Sequence, residues 1–181
     1  MHNPFPYIHF AMQSHRSTTP ARPCEVMLRD VQPADVPALF AFESDPAWCA
    51  MAMVKPRSAA AFDAVWAKIF RAWSAGETDV VQKVILADGE VCGTIGCRMQ
   101  GDRCVVGYGL GQAHWGRGIA SCALALMLAE DPRRPLYATA AATNAASIRV
   151  LTKHGFVIAE RRTSPETQRC LARDEVILVL T

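Results

Sequence analysis

No apolar stretch in this chain reaches the ~18 residues that a membrane-spanning helix needs, because charges, glycines or prolines interrupt each candidate. Bulk charge is missing as well. With 19 basic and 17 acidic side chains the formal net charge is +2, too weak a field to hold nucleic acid without a concentrated patch, and the basic residues are scattered. The seven cysteines form no C-x-x-C pair and have no histidine at metal-ligand spacing, so no metal site is expected. Several of them sit inside apolar patterns, where a reduced thiol acts as a small core hydrophobe, and a cytoplasmic protein fits that usage. The N-terminal stretch lacks the basic start of a signal peptide and is broken by Pro4 and Pro6. Residues 1–24 read as a loosely ordered extension, or an arm that docks on a partner. Residues 25–181 read as one domain, since a chain of 181 residues that is 51% hydrophobic can bury a single core. There is no internal repeat and no low-complexity tract.

What is present is an alternating α/β pattern. Glu25 to Gln32 alternates as a strand and Pro33 closes it. Asp35 is placed to cap a helix carrying Val36, Leu39, Phe40 and Glu43, which ends near Asp45-Pro46. Phe62, Val65, Trp66, Ile69, Phe70 and Trp73 recur at helical spacing and predict a second helix with one solid apolar face. Strands at Val80 to Ala87, Val91 to Gln100 and Cys104 to Leu110 follow, the first two joined by Asp88-Gly89. A helix from about Gly116 to Glu130, a strand at Leu136 to Ala141, a helix from about Ala145 to His154, and strands at Phe156 to Arg162 and Glu175 to Leu180 complete the order.

The segment Leu110 to Ser121 leads from strand to helix through Gly111, Gly116 and Gly118. Glycines let the backbone approach a ligand closely, and the first turn of a helix leaves N–H donors without intrahelical partners. Such donors, with the helix dipole, suit phosphate oxygens, and Arg117 can add charge at the rim. The Walker pattern fails here because Arg117-Gly118 stands where Lys-Ser/Thr is required, and the dinucleotide fingerprint fails for want of its third glycine. A plain strand-to-helix turn would use the same glycines.

Trp115-Gly116-Arg117-Gly118-Ile119-Ala120 resembles the acetyl-CoA pyrophosphate loop of the GNAT N-acetyltransferases, [Q/R]-x-x-G-x-[G/A], with Trp115 replacing the first Gln or Arg as in the branch resembling the RimJ/RimL ribosomal-protein N-terminal acetyltransferases. Asn144 to Phe156 is similar to the same branch's N-x-x-S-x-x-x-L-x-K-x-G-F signature. The resemblance implies an α/β (α+β) fold with a mixed, mostly antiparallel sheet, one splayed parallel strand pair and helices on both faces. It implies acetyl-CoA as donor and a primary amine, at a protein N terminus or on a small molecule, as acceptor. It places the cofactor on Leu110, Gly111, Trp115, Gly116, Arg117, Gly118, Ile119, Ala120, Ser121 and Asn144, with the Leu110 N–H on the thioester carbonyl. The family's tyrosine acid is absent, since Leu151 stands in its position, so Ser147 is the candidate proton donor to the leaving sulfur. The strand Cys104 to Leu110 carries no carboxylate, which leaves Glu43 as candidate base, or a water relay with no dedicated base. Trp48, Met51 and Met53 make either an acceptor wall or core, and Tyr108 and His114 either touch substrate or pack. A non-catalytic acyl-CoA-binding module, or an interaction domain that lost the cofactor, would keep the same motifs. Acceptor identity and oligomeric state, a homodimer among the options, stay open.

Overall fold

The computed structural model describes residues 24–77 and 79–181, so the expectation for the N-terminal extension lies outside the described residues except at Cys24. Seven strands, β1 (Val26–Asp30), β2 (Val80–Ala87), β3 (Glu90–Gln100), β4 (Arg103–Leu110), β5 (Leu136–Ala141), β6 (Val157–Ser164) and β7 (Arg173–Leu180), form one sheet in the order β1-β2-β3-β4-β5-β7-β6. β4 and β5 are parallel and all other neighbours antiparallel, as the resemblance implied. Five helices pack on it: α1 (Val36–Ser44), α2 (Pro46–Ala52), α3 (Ala59–Ser74), α4 (Ile119–Glu130) and α5 (Ala145–Lys153).

Local chemistry accounts for the joints. Asp88 and Gly89 take φ of 52° and 85° and close a two-residue hairpin whose twist matches the strands they join. Ser58 caps α3 by accepting the Ala61 N–H at 3.2 Å, and the stripe predicted for this helix buries Phe62 and Trp66. Those rings join Val31, Leu39 and Val84 in one apolar cluster. A larger cluster joins Ile95 and Val106 of the sheet to Ile119, Leu124 and Met127 of α4 and to Leu151 and Phe156 at the end of α5. Each such side chain, fully buried, contributes roughly 1.5–3 kcal/mol. Gly155, at φ 88°, ends α5, and the Phe156 N–H reaches the Leu151 carbonyl at 3.2 Å. Glu175 on β7, 4% exposed, accepts hydrogen bonds from Arg162 and Ser164 of β6 and from Arg173, tying the last two strands together.

Two expectations need correction, and one helix was not foreseen. Asp35 does not cap α1 with its side chain. Its carboxylate accepts from Arg29 at 2.7 and 2.8 Å and from the Gln32 N–H at 2.7 Å, closing a short 3-10 turn instead. The first helix ends at Ser44, next to the expected Asp45-Pro46, and Pro46 then starts α2 as its first residue while Asp45 accepts the Trp48 N–H at 2.9 Å; proline's fixed φ suits that position. The helix predicted from Gly116 begins at Ile119.

Candidate functional site

The parallel pair is joined only at Cys104–Leu136 and Val105–Tyr137. Beyond that point the two strands part, and β4 from Val106 to Leu110 pairs only with β3. The Gly111 N–H lies on the Cys92 carbonyl at 2.9 Å. Backbone groups of an antiparallel strand alternate in direction, so the N–H and C=O of Leu110 face the gap. On that side the Leu110 carbonyl accepts from Trp115 Nε1 at 2.8 Å. The gap opens into a cleft of about 400 Å³ walled by α2 (Trp48, Met51), the end of β4, the turn into α4, and α5.

Gly116 and Gly118 take φ of 73° and 77°, left-handed values that glycine adopts at no steric cost, and the space where a Cβ would sit is empty at both. Gly118 is the N-cap of α4 and offers no capping side chain. The first bond into the helix is from the Cys122 N–H to the Gly118 carbonyl at 3.1 Å, and the N–H groups from Gly118 to Ser121 find no acceptor among the described residues. The turn presents these donors, with the positive end of the helix dipole, to the cleft. The residues present therefore fit a diphosphate.

Most of the cofactor residues read from the sequence, Leu110, Trp115, Gly116, Gly118, Ile119, Ala120, Ser121 and Asn144, line this cleft. Two behave differently. The Arg117 guanidinium turns away, to 3.7 Å from Asp88 and 3.8 Å from Cys24 Sγ, so the rim contact expected of it is not made by its side chain in this arrangement. Gly111 packs below the turn, where a Cβ would strike the Phe42 ring. Two cations of α5, Arg149 and Lys153, also line the cleft and form no ion pair with a described residue. Lys153 entered the sequence reading only as the lysine of the Asn144 to Phe156 signature, and Arg149 looks in sequence like any solvated helix face.

At the inner end of the cleft Asn144 caps α5 by accepting the Ser147 N–H at 3.0 Å. Ser147 Oγ lies 3.0 Å from the Tyr108 hydroxyl oxygen, and that hydroxyl donates to the Ser147 carbonyl at 3.2 Å. Burial pushes the Tyr108 phenol above its ordinary value, against the opposing effect of Ser147, and keeps it protonated. Leu151, where the family's tyrosine would stand, is buried in the core. His114 lines the cleft with its ring nearly perpendicular to that of Phe42, 6.1 Å between centres, and its buried Nδ1 has no partner among the described residues.

A second recess of about 170 Å³ lies beside the first, walled by Leu39, Phe42, Glu43 and Thr94, and shares Trp48, Tyr108 and Gly109 with it. The indole of Trp48 occupies the space left by the missing side chain of Gly109, 3.1 Å from where a Cβ would be. Glu43 enters this recess. Its Oε2 accepts from Arg57 at 3.1 Å and from Arg169 at 2.9 Å. Burial raises the Glu43 pKa and the two guanidiniums lower it; burial prevails and the carboxyl sits above its ordinary value.

Among solved structures the fold is similar to the spermidine N-acetyltransferase from Vibrio cholerae in complex with CoA and spermine, with a TM-score of 0.72 and 12% identity over 86% of this chain and 94% of that one. It is also similar to Mycobacterium smegmatis RimJ in complex with CoA-disulfide (TM-score 0.70, 21% identity, 86% and 81% covered). The Salmonella typhimurium acetyl transferase that modifies the N-terminal serine of ribosomal protein L7/L12 matches at TM-score 0.69 and 19% identity, with 86% and 94% covered. At these identities the likeness is one of fold. No curated protein matches the sequence. The family model of the acetyltransferase (GNAT) domain, however, matches residues 25–157, most of the chain and both halves of the cleft, and the chain therefore belongs to the GNAT acetyltransferase family.

Proposed function

We propose that residues 25–181 form an acetyl-CoA-dependent N-acetyltransferase that moves an acetyl group to a primary amine, on a protein N terminus or a small molecule, by direct attack on the thioester. The observation that carries this reading is the set of open N–H donors from Gly118 to Ser121 at the mouth of a splayed strand pair. Acetyl-CoA supplies an acetyl group already activated for attack. The chain's part is to bind, orient and move protons. The α4 N-terminus takes the diphosphate and Arg149 and Lys153 take further phosphate charge, while the exposed edge of β4 offers backbone groups to an extended pantetheine arm. The Leu110 N–H points where negative charge gathers on the thioester oxygen. Ser147 gives a proton to the departing sulfur and is re-supplied by the Tyr108 phenol 3.0 Å away. Glu43, with a pKa raised by burial, is the candidate acceptor of the amine proton.

The test is thiol release from acetyl-CoA across a panel of amines and peptides. Turnover with at least one primary amine supports the reading. Tight acetyl-CoA binding with no thiol release from any amine overturns it in favour of a binding module.

A further inference from the structure

The charges around the smaller recess do not balance. Glu43 faces two guanidiniums, and both bind the same oxygen, Oε2; Oε1 accepts no hydrogen bond from a described residue. The Thr94 hydroxyl, in the same recess, likewise has no partner among the described residues. Arg169 is packed in place: its guanidinium lies 5.9 Å from the Trp48 ring centre and also donates to the Lys55 carbonyl, and its side chain is 24% exposed. Burial first, and the nearby Arg57 second, hold its pKa below the usual guanidinium range against the opposing effect of Glu43. Nearby, Lys55 is matched by Glu166, Glu175 faces Arg162 and Arg173 with Asp174 beside it, and Asp45 caps α2 two residues from Glu43.

A purely cationic guest would bring its ammonium to a carboxylate whose charge is already exceeded by its neighbours. Of the cluster only Glu43 lines the recess itself; Arg57 and Arg169 stand behind its Oε2 with side chains 31% and 24% exposed, so a guest whose ammonium sits at the open Oε1 reaches them only with a carboxylate close to the amine. The leucine, phenylalanine and tryptophan walls leave room for apolar bulk beside them. Resting on the acetyl-transfer reading above, we infer that the acceptor is a primary amine bearing a nearby carboxylate, either a free amino acid or a peptide N terminus followed by acidic side chains, selected by Arg57 and Arg169 around Glu43.

The experiment compares kcat/KM for leucine against leucinamide, for a Ser-Glu-Glu against a Ser-Gln-Gln peptide, and for spermidine. The expected result is a preference of about 10-fold or more for the carboxylate-bearing member of one pair, and which pair shows it identifies the source. The amine of leucinamide loses its proton more readily than that of leucine, so a preference for leucine runs against intrinsic reactivity. Arg57→Gln should bring that ratio close to one, while Arg57→Lys, which keeps the charge, should retain most of it. Turnover that favours spermidine or the neutral member of each pair, or a ratio unmoved by Arg57→Gln, overturns the charge preference and leaves acetyl transfer standing. No thiol release from any of the five amines overturns both.

Discussion

Ser147 and Tyr108 come from positions 39 apart in sequence, yet their hydroxyls meet at 3.0 Å. If this pair hands a proton to sulfur, Ser147→Ala lowers kcat roughly 10²-fold and leaves the CoA dissociation constant unchanged, and Tyr108→Phe does the same more weakly. Stopped turnover beside calorimetry separates the cases: equal losses in turnover and affinity assign Ser147 to binding. For Glu43 the sign follows from burial. Its carboxyl loses a proton above the ordinary 4.5, so the acid limb of kcat/KM lies above that pH, and Glu43→Gln removes the limb along with most of the rate. A limb that survives in Glu43→Gln belongs to another group. Ser147 and Glu43 could be named as candidates because a motif or a helix end marked them. Tyr108 could be named only as touching substrate or packing, and its meeting with Ser147 shows only once β4 and α5 are brought together. The direction of Arg117 could not be read, because motif spacing fixes a backbone turn and leaves a long side chain free to find Asp88.

At the scale of elements, the turn before α4 is the feature most exposed to test. Gly118→Glu puts a side chain and a negative charge into open space where anionic oxygens are expected, and calorimetry should show CoA binding lost. Gly118→Ala is the control. At φ 77° it strains the backbone by about 1–2 kcal/mol, yet it meets no neighbour, so binding should weaken and persist. If Gly118→Glu binds CoA as the parent does, the cradle lies elsewhere. The strands and the long helices could be read from periodicity and turn residues. The helix α2 could not: a residue before proline ends one helix, and the same proline can open the next, a choice decided here by Asp45 capping and by Trp48 reaching over Gly109. The parting of β4 and β5 had no local signal at all and entered only through family resemblance.

Across the whole molecule, apolar clusters on the sheet carry the fold, and a few partnered carboxylates tune it. Asp35 is held below its ordinary pKa by the hydrogen bond from Arg29, and Asp131 by that from Arg133. For Glu175 burial acts upward, but the hydrogen bonds of Ser164, Arg162 and Arg173 outweigh it. A carboxylate with a depressed folded pKa stabilises the protein above its unfolded value, and that contribution disappears as pH falls through the folded one. Thermal melting should therefore be flat near neutrality and fall once pH drops below about 4. Glu175→Gln, which leaves two arginines facing a neutral amide, should cost about 3 kcal/mol at pH 7 and make the acid decline shallower. An unchanged melting temperature at pH 7 would show that the Glu175 cluster adds nothing net.

Trp48, Tyr108 and Gly109 line both the large cleft and the small recess, so the two spaces adjoin along them. No cysteine lines either space, although the chain has seven. On the proposed chemistry donor and acceptor are next-door tenants that meet at this common edge, and the acetyl group changes hands there with no stopover on a protein thiol.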